Sequence, residues 1–347
     1  MFNLENLLRA NIRNLVPYSS ARDEFKGKAE IYLDANENSF GSPLERKFNR
    51  YPDPLQWELK EKISQVKGVP PENIFLGNGS DEAIDILYRA FCNPGKDSVI
   101  LVPPTYGMYE VSANINDVFV KRVPLTKDFQ LDVESISEVV TASTKLIFIC
   151  SPNNPTGNTM NRDDIEIILN NFQGIVVIDE AYINYSRHRS FIPELTEYPN
   201  LVVLQTLSKA WGLAGLRLGM AFASADIISV FNSIKPPYNV NAVTQELALA
   251  ALDNIEQVNA WTKEIVAERE KLVKSLAQIP FVQKIYPSDA NFILVKMNEP
   301  KIIYDKLVEK GIIVRDRSKV ILCEGCLRIT VGTPGENKML IETLKQF

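Results

Sequence analysis

Lys209 stands between an apolar run, Leu201-Val-Val-Leu-Gln205, and a small-residue loop, with Arg217 following in Gly215-Leu-Arg-Leu-Gly219. The run reads as a buried strand that leads straight to Ser208 and Lys209. A lysine at such an end loses part of its hydration, which disfavours the ammonium. Its free amine is then a nucleophile able to form a Schiff base with an aldehyde cofactor. Taken alone, the same residue could equally be a lysine that snorkels to water beside a turn.

Three other segments place reactive groups at strand ends. In Ile74-Phe-Leu-Gly-Asn-Gly-Ser-Asp-Glu82 a strand passes through two glycines into a helix, so the backbone amides of Ser80 and Asp81 point from a helix N-terminus toward an anion. Ser80 and Asp81 could also be simple caps, a role compatible with phosphate binding. A dinucleotide fingerprint is disfavoured because Glu82 occupies its third glycine position. Val176-Val-Ile-Asp-Glu-Ala-Tyr182 puts Asp179 at the end of a buried strand, where an ionised carboxylate can keep the ring nitrogen of a pyridine cofactor protonated. An aspartate capping a helix would need only local geometry. Ser151-Pro-Asn-Asn-Pro-Thr-Gly157 follows a fourth strand, and Asn154 offers an amide donor to a phenolic oxygen. Arg217 is available as a bidentate phosphate clamp.

The elements that must carry these residues alternate from about residue 74 to about 235. Strands are expected at Ile74-Leu76, Ser98-Val102, Val118-Val123, Lys145-Cys150, Gly174-Asp179, Leu201-Thr206 and Arg217-Ala223, with helices such as Asp81-Phe91, Tyr106-Asn114, Val133-Thr141 and Asp163-Phe172 between them. Runs buried on both faces indicate strands laid parallel. From Asn241 to Ile279 the pattern is helical and Pro280 ends it. Strands near Phe292-Val295, Ile312-Val314 and Leu327-Val331, with helices near Lys301-Lys310 and Glu336-Lys345, suffice for a smaller α+β domain. Residues 1–40 form an arm and part of that smaller domain, 41–240 the large cofactor-binding domain, and 241–347 an interdomain helix and the small domain. The stripe Leu4, Leu7, Leu8, Ile12, Leu15 needs a covering neighbour, either the C-terminal domain or a second subunit.

Composition excludes other classes. The chain has 347 residues, 45% hydrophobic and 23% charged, with a net charge of −5, the balance of a globular protein with a sizeable core. No basic block indicates nucleic acid. Apolar runs such as Ile175-Val-Val-Ile178 are too short for a bilayer, so a cytoplasmic protein is expected. Cys323-Glu-Gly-Cys326 has the spacing of half a zinc site or a redox pair, but the remaining candidates, Cys92, Cys150 and His188, are scattered, and unreactive thiols with no metal are expected. His188 lies in a polar loop, and no Gly-x-Ser-x-Gly elbow accompanies it.

The joint occurrence of these segments resembles the fold type I pyridoxal-phosphate aminotransferases, an α/β fold with a mostly parallel seven-stranded sheet sandwiched by helices plus a smaller α+β domain. Within them the chain is most similar to the histidinol-phosphate aminotransferases. The likeness covers nearly the whole chain through Pro17-Tyr-Ser-Ser-Ala-Arg22, Leu33-Asp-Ala-Asn-Glu-Asn38, Arg50-Tyr-Pro-Asp-Pro54, Gly77-Asn-Gly-Ser-Asp-Glu82, Pro236-Pro-Tyr-Asn-Val240 and Gly325-Cys-Leu-Arg-Ile-Thr-Val-Gly332. Ser39 departs from it, since a proline usually follows Asn-Glu-Asn, and a loosened loop is expected there.

The resemblance implies that Lys209 carries pyridoxal 5'-phosphate, that Asp179 pairs with the ring nitrogen, and that Asn154 and Tyr182 bind the ring oxygen. It further implies that Ser80, Asp81, Ser208 and Arg217 hold the phosphate, that Tyr106 stacks on the ring, and that Tyr51 reaches the cofactor of a neighbouring subunit in a homodimer. Arg315 and Arg328, with Tyr18, would bind the substrate; two arginine forks suit a phosphate monoester better than a single carboxylate. The implied reaction passes an amino group reversibly between histidinol phosphate and 2-oxoglutarate, yielding imidazole acetol phosphate and glutamate in histidine biosynthesis. A threonine-phosphate decarboxylase and an aromatic or broad-range aminotransferase of the same fold stay open as alternatives.

Overall fold

The computed structural model describes residues 2–20 and 29–347; Ala21 and Arg22 of the Pro17–Arg22 segment lie outside the described residues. Seven strands form the main sheet: β1 (Ile74–Asn78), β2 (Ser98–Leu101), β3 (Phe119–Arg122), β4 (Thr144–Cys150), β5 (Ile175–Asp179), β6 (Leu201–Thr206) and β7 (Leu218–Ala223), in the order β1-β7-β6-β5-β4-β2-β3. The sheet is mostly parallel, as expected, with one strand reversed. β7 runs antiparallel to both β1 and β6, while the pairs β6–β5, β5–β4, β4–β2 and β2–β3 are parallel. The link from Thr206 to Leu218 is too short for a crossover, so β7 must return beside β6 in the opposite sense. Its start therefore lies at the edge where its neighbours end.

Alternation within the central strands explains their uninterrupted apolar sequence. Ile147, Ile149, Val176, Ile178, Leu201 and Val203 face one core, whereas Leu146, Phe148, Ile175, Val177, Val202 and Leu204 face another on the opposite side of the sheet. Both faces are covered by helices, so every residue of β5 and β6 is buried. On the second face the helix Ser80–Phe91 packs against β7 and β1. The N-terminal stripe also ends here. It forms two short helices, Leu4–Leu7 and Ala10–Arg13, instead of one, and Leu8 between them is buried in this core. Arg9 anchors the arm, its amide donating to the Ala90 carbonyl at 3.0 Å and its guanidinium to the Arg89 carbonyl at 2.9 Å. The stripe's neighbour is thus the large sheet layer of the same chain.

The second sheet contains β8 (Val282–Ile285), β9 (Phe292–Met297), β10 (Arg315–Asp316) and β11 (Cys326–Thr330), in the order β10-β11-β9-β8 and antiparallel throughout. β8 is a strand the sequence reading missed, its half-polar Val-Gln-Lys-Ile giving little signal. The strand expected at Ile312–Val314 lies instead at Arg315–Asp316, where Arg315 is paired in register with Arg328. The helical stretch after Asn241 is two helices, Ala242–Leu252 and Ile255–Leu276. Leu272 and Leu276 of the longer one join Ile293, Val295, Leu327 and Ile329 in a third core. No helix among the described residues is long and apolar enough to cross a membrane.

Candidate active site

A cavity of about 640 Å³ opens where the carboxyl ends of the main sheet face the second sheet, and its walls collect most of the chemistry-bearing residues. Ser80 and Asp81 follow β1, Tyr106 follows β2, Asn154 follows β4, Asp179 ends β5, and Ser208 and Lys209 follow β6. Arg217 precedes the antiparallel β7, and Arg315 and Arg328 enter from the small sheet. In α/β sheets this edge is the usual ligand position, because loops leaving parallel strands diverge there. Two expected residues are elsewhere. Tyr18 is 74% exposed outside the cavity, and Tyr51 stacks on Tyr238 at 4.3 Å in a second cavity of about 540 Å³. There Glu37 accepts the Tyr51 amide and the Arg50 guanidinium, each at 2.6 Å, so two of the sequence segments are tied together.

One end of the main cavity is built for an anion. The helix Ser80–Phe91 begins after Gly79 with no side-chain cap, leaving its first amides directed outward. Gly79 has φ +73°, and a Cβ there would lie 2.7 Å from Arg217 Nη2, so the missing side chain is what lets the guanidinium approach the helix start. Arg217, itself left-handed at φ 55°, accepts the Gly79 amide at 2.6 Å with its carbonyl and reaches Asp81 Oδ2 at 3.5 Å. Ser208 Oγ accepts a hydrogen bond from Thr206 Oγ1 at 3.0 Å, leaving its own proton to donate. Glu82, which argued against a dinucleotide loop, folds back to accept the Asn78 amide at 2.5 Å.

Deeper in, Asp179 is 3% exposed. Tyr109 Oη donates to its Oδ2 at 2.6 Å and the Ala181 amide to its Oδ1 at 3.0 Å. Burial raises the Asp179 pKa and these two bonds work against that rise. Both donors are neutral, so a cation supplied by a bound ring would complete the carboxylate's surroundings. Tyr106 donates to Asp81 Oδ1 at 3.1 Å and meets Tyr109 edge to face at 5.4 Å. Arg328 Nη1 donates to Asn154 Oδ1. A guanidinium has no acceptor, so this contact fixes the Asn154 amide with its oxygen toward Arg328 and its NH₂ free to donate.

Lys209 Nζ lies 5.6 Å from the centre of the Tyr182 ring. Solvent reaches the side chain through the open mouth. Partial burial nevertheless lowers its pKa, with the Arg328 and Arg217 charges adding to that effect and Asp179 and Asp81 opposing it. Burial also pushes the Tyr182 and Tyr106 hydroxyls well up. On the small-sheet side, Arg328 has a buried Nε without a partner and sits 5.1 Å over the Phe292 ring.

Four lining or supporting residues were missed by sequence reasoning. Thr105 lines the cavity with a buried hydroxyl that has no partner, and Thr206 holds Ser208. Tyr109, which lies behind Asp179, carried a usable signal, since it falls one helical turn after Tyr106. Arg317 also lines the cavity, and the two-residue period of an extended chain puts it on the same side as Arg315. Cys323 and Cys326 are fully buried, and burial pushes their thiols up to about 12 and about 11, which keeps them unreactive.

Residues 30–344 match the family model for aminotransferases of class I and II. The chain is 58% identical over its whole length to the histidinol-phosphate aminotransferase of Cytophaga hutchinsonii, of which it covers 99%. Against the enzyme of the same name from Parabacteroides distasonis the identity is 56%, again over the whole chain and 99% of the relative. The crystal structure of histidinol-phosphate aminotransferase from Sinorhizobium meliloti in complex with pyridoxal-5'-phosphate superposes with a TM-score of 0.80 at 24% identity, covering 90% of this chain and 89% of that one. That likeness speaks for the fold.

Proposed function

The chain belongs to the class I and II aminotransferases, and from that membership we propose that it moves the amino group reversibly between L-histidinol phosphate and 2-oxoglutarate, giving imidazole acetol phosphate and L-glutamate, as a step in histidine biosynthesis. It is a pyridoxal-phosphate-dependent enzyme. The residues present fit that cofactor: an uncapped helix start beside Arg217, a glycine whose Cβ would block the approach, an orphaned Thr105 hydroxyl and a buried carboxylate whose hydrogen-bond donors are both neutral are the complement of a phosphorylated pyridine. The observation that carries the substrate class is the pairing of Arg315 with Arg328 in register, facing Lys209 across one cavity.

Ser80, Asp81, Ser208 and Arg217 would hold the cofactor phosphate, Asp179 its ring nitrogen, Asn154 and Tyr182 its ring oxygen, and Tyr106 its face, while Lys209 would anchor it covalently. When bound, the cofactor supplies an electron sink that acidifies the amine-bearing carbon of the substrate. Displaced from the cofactor by the incoming substrate amine, Lys209 Nζ, its pKa lowered, would be the base that takes the proton from that carbon and the acid that delivers it to the cofactor carbon that receives the amino group. Arg315 and Arg328 orient the substrate by gripping its phosphate, and the carboxylates of glutamate use the same cations in turn.

Borohydride reduction followed by peptide mapping should place the cofactor label on Lys209, and Lys209→Ala should retain cofactor without covalent attachment and lose turnover. Steady-state assays with histidinol phosphate beside phenylalanine and threonine phosphate test the substrate. Carbon dioxide release without any need for 2-oxoglutarate would refute the assignment.

The active form is a homodimer, a reading supported by the exposed apolar residues Val16, Tyr18, Leu33, Phe40 and Tyr51 of the N-terminal third. Hybrid dimers of one Tyr51→Phe subunit and one Lys209→Ala subunit test whether Tyr51 serves the neighbouring site. Sharing gives one fully native site, whereas a site as impaired as the Tyr51→Phe homodimer contradicts it.

A further inference from the structure

We infer that Arg317 is a third substrate anchor, which sets the preference of this cavity for a doubly charged phosphate monoester over a singly charged carboxylate; the inference rests on the reading of the substrate end given above. Arg317 begins the hairpin between β10 and β11. Its amide donates to the Cys326 carbonyl at 2.9 Å, its carbonyl accepts the Val320 amide at 2.9 Å, and Asp316 Oδ1 accepts the Ser318 amide at 2.8 Å. The backbone that aims the side chain is therefore held at every step. Arg317 and Val320 both reach the cavity wall beside Arg315 and Arg328.

Its electrostatic setting is unusual for a structural arginine. The Nε of Arg317 is buried and has no hydrogen-bond partner, as is the Nε of Arg328. Among the described residues none of the three arginines forms an ion pair. Asp316, the adjacent carboxylate, is occupied by Ser318. Burial and the charge of Arg315 both work against the Arg317 cation. Three guanidinium groups that repel one another around one cavity, with buried donors unpaired, are accounted for when an anion joins them.

The charge of that anion decides what Arg317 adds. At a given distance the Coulomb energy scales with the product of the charges, so a cation helps a dianion twice as much as a monoanion. A loss of roughly threefold for a carboxylate on removing Arg317 thus becomes roughly tenfold for a phosphate dianion. Its three terminal oxygens also need more donors than one carboxylate-matching fork provides.

The test uses the holoenzyme, with the two half-reactions measured separately for wild type, Arg317→Gln and Arg317→Lys. For Arg317→Gln the expected result is a KM for histidinol phosphate raised about tenfold, a KM for glutamate raised about threefold or less, kcat values within about twofold, and an unchanged cofactor absorption spectrum. Arg317→Lys, which keeps the charge, should recover most of the preference. Glycerol phosphate and glutarate, used as competitive inhibitors of the glutamate half-reaction, read the same discrimination without histidinol phosphate. If wild type does not turn over histidinol phosphate, the proposed function fails while the inhibitor ratio still judges Arg317. Equal losses for the phosphate and carboxylate ligands, or no loss for either, overturn the inference.

Discussion

Replacing Tyr109 by phenylalanine isolates the hydroxyl that holds Asp179. The ring keeps its place against Phe148, with centroids 4.8 Å apart, so the change deletes one hydrogen bond of 2.6 Å between two buried groups. A bond to a charged acceptor contributes about 1.5–3 kcal/mol and one between neutral groups about 0.5–1.5 kcal/mol. The deficit of Tyr109→Phe should therefore be near the larger figure when Asp179 is ionised and near the smaller when it is protonated. Burial raises the Asp179 pKa, so the folded chain binds this proton more tightly than the unfolded chain. That contribution favours folding at acid pH and is lost as pH rises from the ordinary carboxylate range through the folded pKa. The Tyr109 hydroxyl moderates the loss, and its removal steepens it. Urea denaturation of the cofactor-free protein across that range measures the deficit. A double-mutant cycle with Asp179→Asn, run across the same pH range, should return a coupling that grows toward about 1 kcal/mol, the charged bond minus the neutral one, as Asp179 ionises. A deficit that stays flat with pH and adds to that of Asp179→Asn would show that Tyr109 does not stabilise the carboxylate.

Two further perturbations test other parts of the structure. Lys60 is 1% exposed, and its pKa falls to about 8 through burial and the neighbouring Lys235. Since the unfolded lysine titrates at 10.5, Lys60→Met should stabilise the fold at pH 7 by roughly 3 kcal/mol, and the gap should close as pH rises from 8 to 10.5; a gap independent of pH contradicts the assignment. A Cβ on Gly219 would lie 2.1 Å from the Ser80 amide nitrogen and 2.2 Å from the Gly79 carbonyl carbon. Gly219→Ala should thus destabilise by about 2–3 kcal/mol and weaken cofactor phosphate binding together, whereas a normal urea midpoint with normal cofactor affinity argues against so close an approach.

Much of the main sheet and its cavity-lining edge was legible in the chain itself. Apolar runs such as Leu201–Leu204 and Ile175–Ile178 are long enough to mark strands buried on both faces, and the polar residue that ends each run necessarily falls at a strand end. Parallel pairing then puts Asn154, Asp179 and Lys209 along one edge without further information. Tertiary structure alone decided what depends on direction and distance between segments far apart in sequence. The reversal of β7 brought Arg217 to the Ser80 helix start, and the helix after Ser80 received Leu8 from the N-terminal arm. The β10–β11 pairing aligned Arg315 with Arg328 and aimed Arg317 into the same cavity. Side-chain periodicity reports whether a residue is inside or outside its own element, but which distant element it meets is set by packing, and packing has no local signature.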